Sequence, residues 1–441
     1  MTEREAPRTA ASSRSRSLGD RDDQRPDAFL ARVRSWPWWV HVVLIFVASR
    51  IVTTAMLLFF ASHQAANAWT GASPDYLAFS QVWDSHWYYL VAVNGYPSEL
   101  PIDDAHVGQN TWAFLPVYPW LVQGLSVMTS ASYDAMAVVV SVLASLGTAL
   151  LAFKLWREAG FAAGQALGAV ALLCANPIST VFQVGYAEPL QLLLLTAGLL
   201  HLQRRRYWLT IPFVVLSAFT KPGALAFALA VGLHVIVRWT AAWRASSRPG
   251  AKGEGHSVRA ADTAFPLREQ FAAIVAAAAA LVAGLAWPLI AAAATGSLSA
   301  YTDTEMSWRT GYIGHTEFAP FTGWILAAQW WAEWVHLPGW VGVVVLALIV
   351  AALVALAFSP WARRLGPTIR LWVGSWFLYL FAVFFPQSST WRLLLPAYPA
   401  LGAFALSRRW VLWAAIALSI VGQWFWIDQE WAIAGYDWTP P

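Results

Sequence analysis

Long uninterrupted apolar segments dominate this sequence and decide what it can fold into. Of the 441 residues, 58% are hydrophobic and only 12% are charged, whereas water-soluble domains contain about 25% charged residues. Several segments reach the length of about 20 apolar residues that crosses a bilayer as a helix. Because these segments are continuous and do not alternate with polar residues, they exclude an all-β structure. The sequence therefore predicts an all-α polytopic membrane protein.

Length and hydropathy predict about 11 transmembrane helices in a membrane domain that covers 37–427. The expected spans are 37–60, 134–153, 161–176, 183–202, 207–220, 223–238, 271–295, 339–358, 369–386, 392–407 and 409–427. The flanking and connecting segments are predicted as a disordered cytoplasmic tail (1–36), a large first extracytoplasmic loop (61–133), a flexible cytoplasmic linker (239–268), a second outer loop (296–338) and an outer C-terminal tail (428–441).

The positions of Lys and Arg predict the orientation of these spans. If the N-terminal tail is cytoplasmic, every Lys and Arg falls on the cytoplasmic side except Lys221, Arg309, Arg392 and the mid-span Arg50. The positive-inside rule favours this arrangement, in an integral inner (cell) membrane protein. Counting 114–128 as a further span would reverse it. That segment, with its two prolines, is therefore predicted to be an interfacial or re-entrant helix.

Cysteine, metal and nucleotide signals are weak. Cys174 is the only cysteine, which excludes an intrachain disulfide or a cysteine metal site. Asp303, Glu305 and His315 share one predicted outer loop, but their spacing matches no specific ligand pattern, so no metal is expected. The chain has no glycine-rich phosphate loop. We expect no cofactor and no nucleic acid partner.

The stretch QVWDSHWYYLVAVNGYP, from Gln81 to Pro97, places one carboxylate, Asp84, among aromatic side chains. Trp83 and Trp87 would lower the local dielectric, which raises the pKa of a carboxyl and makes it a better proton acceptor near neutral pH. An interfacial Trp/Tyr belt with an incidental acid would have the same sequence. The residues alone leave both interpretations open.

Three further charged residues fall at predicted outer turns. Glu188, in NPISTVFQVGYAEPL, is either a ligand-binding acid or a favourable charge at a helix start. Lys221, in FTKPG, is either a snorkelling lysine or a point charge for phosphate. Arg392, in PQSSTWRLLLPAYP, would oppose the helix dipole, which favours a role in holding phosphate. The mid-span Arg50 is either a functional charge or a structural partner of an acid on a neighbouring helix.

Five motifs in order, WDSHWYYLVAVNGYP, FLPVYP, GYAEP, TKPGAL and WRLLLPAYP, resemble those of the GPI mannosyltransferase II (PIG-V-type) family and its bacterial relatives. This family is a branch of the GT-C membrane glycosyltransferases. The resemblance covers 83–399, most of the chain, with Lys221 where arginine is expected. It implies a GT-C-like bundle whose first outer loop carries juxtamembrane helices.

The resemblance also implies an activity. The donor would be a polyprenyl-phosphate sugar, with mannose as the sugar, and transfer to an acceptor hydroxyl would occur on the extracytoplasmic face with inversion. Asp84 would be the catalytic base, and Arg392 and Lys221 would bind the donor phosphate. The acceptor would be a glycolipid or glycan of the cell envelope, and membrane lipids would surround the protein. The residues expected to bind substrate are Trp83, His86, Trp87, Tyr88, Tyr118, Tyr186, Glu188 and Gln387.

Two other functions stay open. A transporter or flippase of a lipid-linked glycan would need a continuous polar path and intramembrane charges, of which Arg50 is the clear candidate. A structural subunit of an envelope-assembly complex would need neither. Convergence of Asp84, Glu188 and Arg392 on a single cavity would favour the enzyme.

Overall fold

The computed structural model describes residues 35–247 and 264–433. These belong to two compact units, Met1–His41 and Val42–Pro441, and the first is described only from residue 35. The predicted tail 1–36 lies outside the described residues except for its last two. The middle of the predicted linker 239–268 also lies outside them, as does most of the predicted tail 428–441.

The described residues are mostly helical. In chain order the α-helices are α1 Trp38–His63, α2 Tyr76–Phe79, α3 Asp84–Asn94, α4 Val117–Thr129, α5 Tyr133–Glu158, α6 Ala163–Ala175, α7 Glu188–Gln203, α8 Tyr207–Ala218, α9 Ala224–Ser246, α10 Leu267–Thr295, α11 Ala300–Ser307, α12 Thr310–Ile313, α13 Thr322–Trp334, α14 Gly339–Phe358, α15 Pro360–Arg363, α16 Gly366–Val383, α17 Thr390–Leu393, α18 Gly402–Ala405 and α19 Arg409–Trp426. Short 3-10 segments lie at Thr111–Ala113, Ser179–Gln183 and Leu395–Leu401, and a π-helical turn, Ile427–Trp431, follows α19. One antiparallel hairpin pairs β1 Ile102–Asp103 with β2 His106–Val107.

Six of the described helices, α1, α5, α9, α10, α14 and α19, are long and apolar enough to cross a bilayer. The chain is thus a multi-pass, all-α membrane protein. The spans predicted at 161–176, 183–202 and 207–220 correspond to α6, α7 and α8, which are shorter than the length that crosses a membrane alone. The full number of about 11 spans stays a prediction.

The prediction of one continuous helix over 392–407 is wrong. This segment consists of α17, the 3-10 segment Leu395–Leu401 and α18. Pro396 and Pro399 lie in its middle, and each lacks the backbone N–H that an α-helix needs for its ladder. The linker prediction is also too long at its start, because α9 continues to Ser246.

The predicted first loop, 61–133, consists of α2, α3, the hairpin, the first 3-10 segment and α4. Helix α4 covers most of the 114–128 segment. Its 13 residues make it about 20 Å long, too short to cross a hydrocarbon core of about 30 Å. One face of α4 buries Tyr118 and Val122, while Trp120 on another face is exposed. Its length and two-sided burial agree with a helix that does not span.

Helix α7 is buried among other helices, and its first residue, Glu188, is buried with it. Of its 16 residues, 13 are buried, and it packs against α5, α8 and α16. A helix that is apolar all round is stable only when it is surrounded by other elements. The acid at its start is therefore placed by the packing of the whole helix.

Arg50, in the middle of α1, is buried and has no carboxylate partner among the described residues, so the predicted pair with an acid on a neighbouring helix is wrong. Its guanidinium donates to the backbone oxygens of Ser179 at 2.6 Å and Cys174 at 2.8 Å, and to Oε1 of Gln183 at 3.2 Å. Cys174 lies in the last turn of α6, where carbonyl groups lack helical partners and attract positive charge. Arg50 therefore joins α1 to an irregular helix end.

Candidate active site

A cavity of about 530 Å³ collects most of the charged residues singled out by sequence. Its walls come from the start of α3, the start of α7, the turn between α8 and α9, and helices α10, α11, α16 and α17. The charged side chains that line it are Asp84, Glu188, Lys221, Glu305, Arg309 and Arg392. Segments separated by as many as 308 residues in sequence meet here.

Four of these side chains, Asp84, Glu188, Lys221 and Arg392, form one connected ionic cluster, called here the charged quartet. Nη1 of Arg392 donates to Oδ2 of Asp84 and, at 2.8 Å, to Oε1 of Glu188. Nζ of Lys221 donates to the same Glu188 oxygen at 2.5 Å. Two acids face two bases, so the quartet has no net formal charge.

Burial makes the quartet costly unless every charge is compensated. The side chains of Glu188, Arg392 and Asp84 are 2%, 7% and 17% exposed. A buried ion pair repays its desolvation only when the remaining polar atoms are also hydrogen-bonded. Yet among the described residues no partner exists for buried Oε2 of Glu188, Nε of Arg392 or Oε1 of Gln387. These unused groups leave hydrogen-bonding capacity for a ligand beside the cavity.

The backbone before Asp84 is strained, and hydrogen bonds from distant parts of the chain hold it. Trp83, which precedes α3, has φ 61° and ψ −127°, a region that a residue with a Cβ rarely adopts. Its indole Nε1 donates to the carbonyl oxygen of Trp431 at 3.1 Å, and Nε1 of Trp431 donates to the carbonyl oxygen of Phe79 at 3.0 Å. These contacts give the first residue of α3, Asp84, a defined position.

Tight local packing positions the two cations. Lys221 lies in the turn between α8 and α9, where Gly223 has φ 147° and a Cβ would stand 2.6 Å from the Trp376 ring. Only glycine fits this turn without a shift. Arg392 lies on α17, and its guanidinium carbon is 5.0 Å from the ring centroid of Tyr186, a cation–π contact.

The environment shifts the protonation equilibria of the groups near the quartet. Burial lowers the pKa of Lys221, while the nearby Glu188 carboxylate opposes that shift by favouring the ammonium form. Burial, together with the Glu188 and Asp84 carboxylates, raises the pKa of Tyr88 well above its usual value. Tyr88 is therefore a neutral phenol near pH 7, able to donate a hydrogen bond into the cavity.

Of the residues selected by sequence, six line the cavity and five do not. Those that line it are Asp84, Tyr88, Glu188, Lys221, Gln387 and Arg392. Trp83 and Tyr186 contact the site from behind: Tyr186 is fully buried beneath Arg392, and its hydroxyl accepts from the backbone N–H of Asp84 at 3.4 Å. These two side chains are placed to support Asp84 rather than to touch a ligand.

Trp87, Tyr118 and His86 also lie outside the cavity lining. Trp87 stacks on Phe114, a lining residue, with ring planes 3° apart and centroids 5.5 Å apart. Tyr118 is fully buried, with its ring edge-on to Tyr88 at 5.1 Å. His86 is exposed and contacts Trp69. Trp87 and Tyr118 therefore support the cavity walls, whereas His86 does not reach them.

Helix α11 contributes lining residues that sequence reasoning did not select. Tyr301, Glu305 and Trp308 all border the cavity. Their spacing of four and three residues places them on one helical face, which was the available signal. The pKa of Glu305 is raised above its usual value, because burial outweighs the opposing effects of the Tyr301 hydroxyl and the positive charge of Arg309.

No known family model matches this chain, and no curated protein matches it in sequence. Among residues 35–247 and 264–433, no three His, Cys, Asp or Glu side chains cluster closely enough to hold a metal ion. The cavity offers carboxylates that can accept protons, beside two cations that can bind an anionic group. A carboxylate beside two cations suits a reaction in which one oxygen loses a proton and another gains negative charge.

Proposed function

We propose that this protein is a membrane glycosyltransferase that transfers a sugar, mannose, from a polyprenyl-phosphate donor to an acceptor hydroxyl with inversion at the anomeric carbon. The observation that carries the proposal is the convergence of Asp84, Glu188, Lys221 and Arg392 on one cavity. Each comes from a different motif of the resemblance to the PIG-V-type family. The GT-C-like bundle of about 11 helices is part of the same proposal.

The proposed reaction exchanges one C–O bond for another at the sugar's anomeric carbon. Asp84 accepts the proton of the acceptor hydroxyl as that oxygen attacks the carbon. The bond from this carbon to the phosphate oxygen breaks, and its electron pair leaves with the phosphate. General base catalysis of this kind contributes about 10²- to 10⁴-fold in rate. No cofactor takes part, because the phosphate is already a leaving group.

The cations of the quartet are suited to the leaving phosphate. Arg392 keeps a buried Nε without a partner among the described residues, in addition to the Nη1 that contacts the two carboxylates. A guanidinium can present two parallel N–H groups to phosphate. Lys221 adds a second positive charge where negative charge develops, which lowers the energy of the transition state.

The geometry of the charges favours the enzyme over the transporter or flippase. Transport across the bilayer would need polar groups along its whole depth. The buried Arg50 binds backbone carbonyls and a glutamine, and it does not line the cavity. The acids and bases instead gather at one place, as a site of group transfer requires.

The proposal includes an orientation in the cell membrane. With the N-terminus in the cytoplasm, the positive-inside rule puts the motif segments, and so the quartet, on the extracytoplasmic side. Lipid-linked sugars and a glycolipid or glycan of the cell envelope would meet there. Labelling of single cysteines introduced at exposed Asp103 and Arg409 with a membrane-impermeant reagent tests this orientation, since the two are expected on opposite sides.

The decisive experiment is a transfer assay with purified protein in membranes that supply the acceptor, using a panel of polyprenyl-phosphate sugars and identifying the product linkage. We expect transfer from polyprenyl-phosphate mannose by the wild type. Asp84→Asn should abolish transfer and retain insertion and folding. Asp103→Asn, an exposed acid on the hairpin, is the matched control and should transfer normally. Transfer near the wild-type rate by Asp84→Asn would disprove the catalytic assignment.

A further inference from the structure

One wall of the cavity is built by a single short helix with a distinct chemistry. Helix α11 directs Tyr301, Glu305 and Trp308 to the cavity, so a phenol, a carboxyl and an indole border the same space as the quartet. Glu305 lies close enough to Lys221 and Asp84 for both of their charges to act on its carboxyl. This wall and the quartet are therefore parts of one binding space.

An adjoining face of α11 is fixed to the protein. Ala300, Thr304 and Ser307 are buried on that face. Nδ2 of Asn110 donates to Oγ1 of Thr304 at 2.9 Å, which joins α11 to the segment after the hairpin. Just beyond the helix, Nη2 of Arg309 donates to the carbonyl oxygen of Val383 at 2.6 Å. Because these contacts fix the position of α11, its side chains that border the cavity are preorganised to bind a ligand.

The polar groups of this wall are largely buried and incompletely paired: the Tyr301 hydroxyl pairs with the Glu305 carboxyl, which keeps further acceptor capacity. The indole Nε1 of Trp308 is buried and has no hydrogen-bond partner among the described residues. The pKa of Glu305 is raised by burial, which means that its carboxyl has lost water. A ligand with several hydroxyl groups would hydrogen-bond the Glu305 carboxyl, and the rings of Trp308 and Tyr301 offer apolar surface to the carbon face of a pyranose.

We propose that Tyr301, Glu305 and Trp308 form the subsite for the sugar ring of the lipid-phosphate donor, and that Glu305 selects the sugar by hydrogen-bonding its hydroxyls. This inference rests on the proposed function. A phosphate bound at Arg392 and Lys221 carries its sugar one bond away, so the ring lies beside the quartet. A carboxyl repels phosphate and is unsuited to an isoprenoid tail, which leaves the sugar as the group that it can bind.

Equilibrium binding separates the sugar from the rest of the donor. Radiolabelled polyprenyl-phosphate mannose, polyprenyl-phosphate glucose and bare polyprenyl phosphate are titrated against purified wild type, Glu305→Gln and Tyr301→Phe in detergent. We expect Glu305→Gln to weaken binding of the preferred sugar donor about tenfold or more, because a hydrogen bond to a charged group is lost. Its affinity for bare polyprenyl phosphate should equal that of the wild type. Tyr301→Phe should show a smaller loss of the same kind.

The control variant is Glu317→Gln, which changes an exposed acid later in the same predicted loop and should bind as the wild type does. Wild type that binds no polyprenyl-phosphate compound would refute the proposed function, and this inference with it. Wild type that prefers a sugar donor, with Glu305→Gln and Tyr301→Phe unchanged, would refute the subsite alone. If Glu305→Gln does not elute as a folded protein, Tyr301→Phe decides: an unchanged ratio of sugar-donor to bare-lipid affinity overturns the subsite.

Discussion

Two buried arginines, Arg50 and Arg392, have almost the same exposure, 8% and 6%, and opposite surroundings. Arg50 is bound by neutral oxygens, including the carbonyl groups of Cys174 and Ser179. Arg392 is bound by two carboxylates of the charged quartet and borders a cavity of about 530 Å³. Burial of a guanidinium by itself therefore does not identify a functional site in this protein.

The two arginines differ in whether their guanidinium groups can still bind a ligand. Carbonyl groups at a helix end satisfy Arg50 inside the protein, so it joins two elements and has no access to the cavity. Arg392 pairs with two carboxylates through Nη1, and its Nε has no hydrogen-bond partner among the described residues. A guanidinium that is paired with two carboxylates can exchange one of these anions for a phosphate. A guanidinium that is bound by neutral backbone oxygens has no anion to exchange.

Of the two arginine variants, Arg392→Lys should produce the larger loss of activity. The charge is retained, but the planar fork that can hold phosphate at two points is lost. We expect sugar transfer to fall about 10²- to 10³-fold, while the unfolding temperature in detergent changes little. Rates of transfer from polyprenyl-phosphate mannose, measured on protein of equal monodispersity, check this. An activity within threefold of wild type would remove Arg392 from the phosphate site.

Arg50→Lys should have the reverse effect, a loss of stability without a loss of activity. An ammonium group cannot reach the separate carbonyl groups that the guanidinium joins, and each buried carbonyl left without a donor costs about 1–3 kcal/mol. We expect a lower unfolding temperature and unchanged transfer per folded molecule. Thermal unfolding and transfer are measured on the same preparation. A large loss of transfer without a loss of stability would erase the distinction between the two arginines.

The pairing of Lys221 with Glu188 can be tested by a double-mutant cycle. Lys221→Gln leaves Glu188 with one fewer compensating charge, whereas the double variant with Glu188→Gln removes both members of the pair. We expect the double variant to be less destabilised than the sum of the two single variants, by about 0.5–3 kcal/mol. Chemical unfolding in detergent gives the three values. Strict additivity would mean that the two side chains do not interact.

The smallest expected effect concerns the pH dependence of stability. Burial raises the pKa of Glu305 above 4.5, so the folded state binds this proton more tightly than the unfolded state does. Its contribution to stability is then fully present below about pH 4.5 and is lost as the pH rises through the folded-state pKa. Glu305→Gln should gain stability relative to wild type as the pH rises through that window. Unfolding temperatures of wild type and Glu305→Gln across this window check it.

The sequence could predict the members of the quartet because each belongs to a short motif at the end of a predicted helix. Their mutual contact could not be predicted, since it depends on how α3, α7 and α17 pack. The aromatic residues were harder to assign. Tyr88 and Tyr186 look alike in sequence and both are buried, but Tyr88 borders the cavity and Tyr186 lies beneath Arg392.

Two other errors have similar physical causes. Hydropathy treats 392–407 as one span because it does not register that two prolines prevent a continuous ladder. The expected acid partner of Arg50 was wrong because the free carbonyl groups at an irregular helix end carry no mark in the sequence. The place of Glu305 in the cavity wall could not be predicted, since the position of a helix of eight residues is set by its tertiary contacts.

The hydrogen bond from Trp83 to Trp431 joins residues 348 positions apart. During synthesis the segment that carries Asp84 is made about 350 residues before the backbone oxygen of Trp431 that supports it. A ribosome-bound chain that has not yet inserted α19 therefore has the acid of the site without its final support. Under the proposed function, a truncation before residue 431 should therefore insert most of the chain and transfer no sugar.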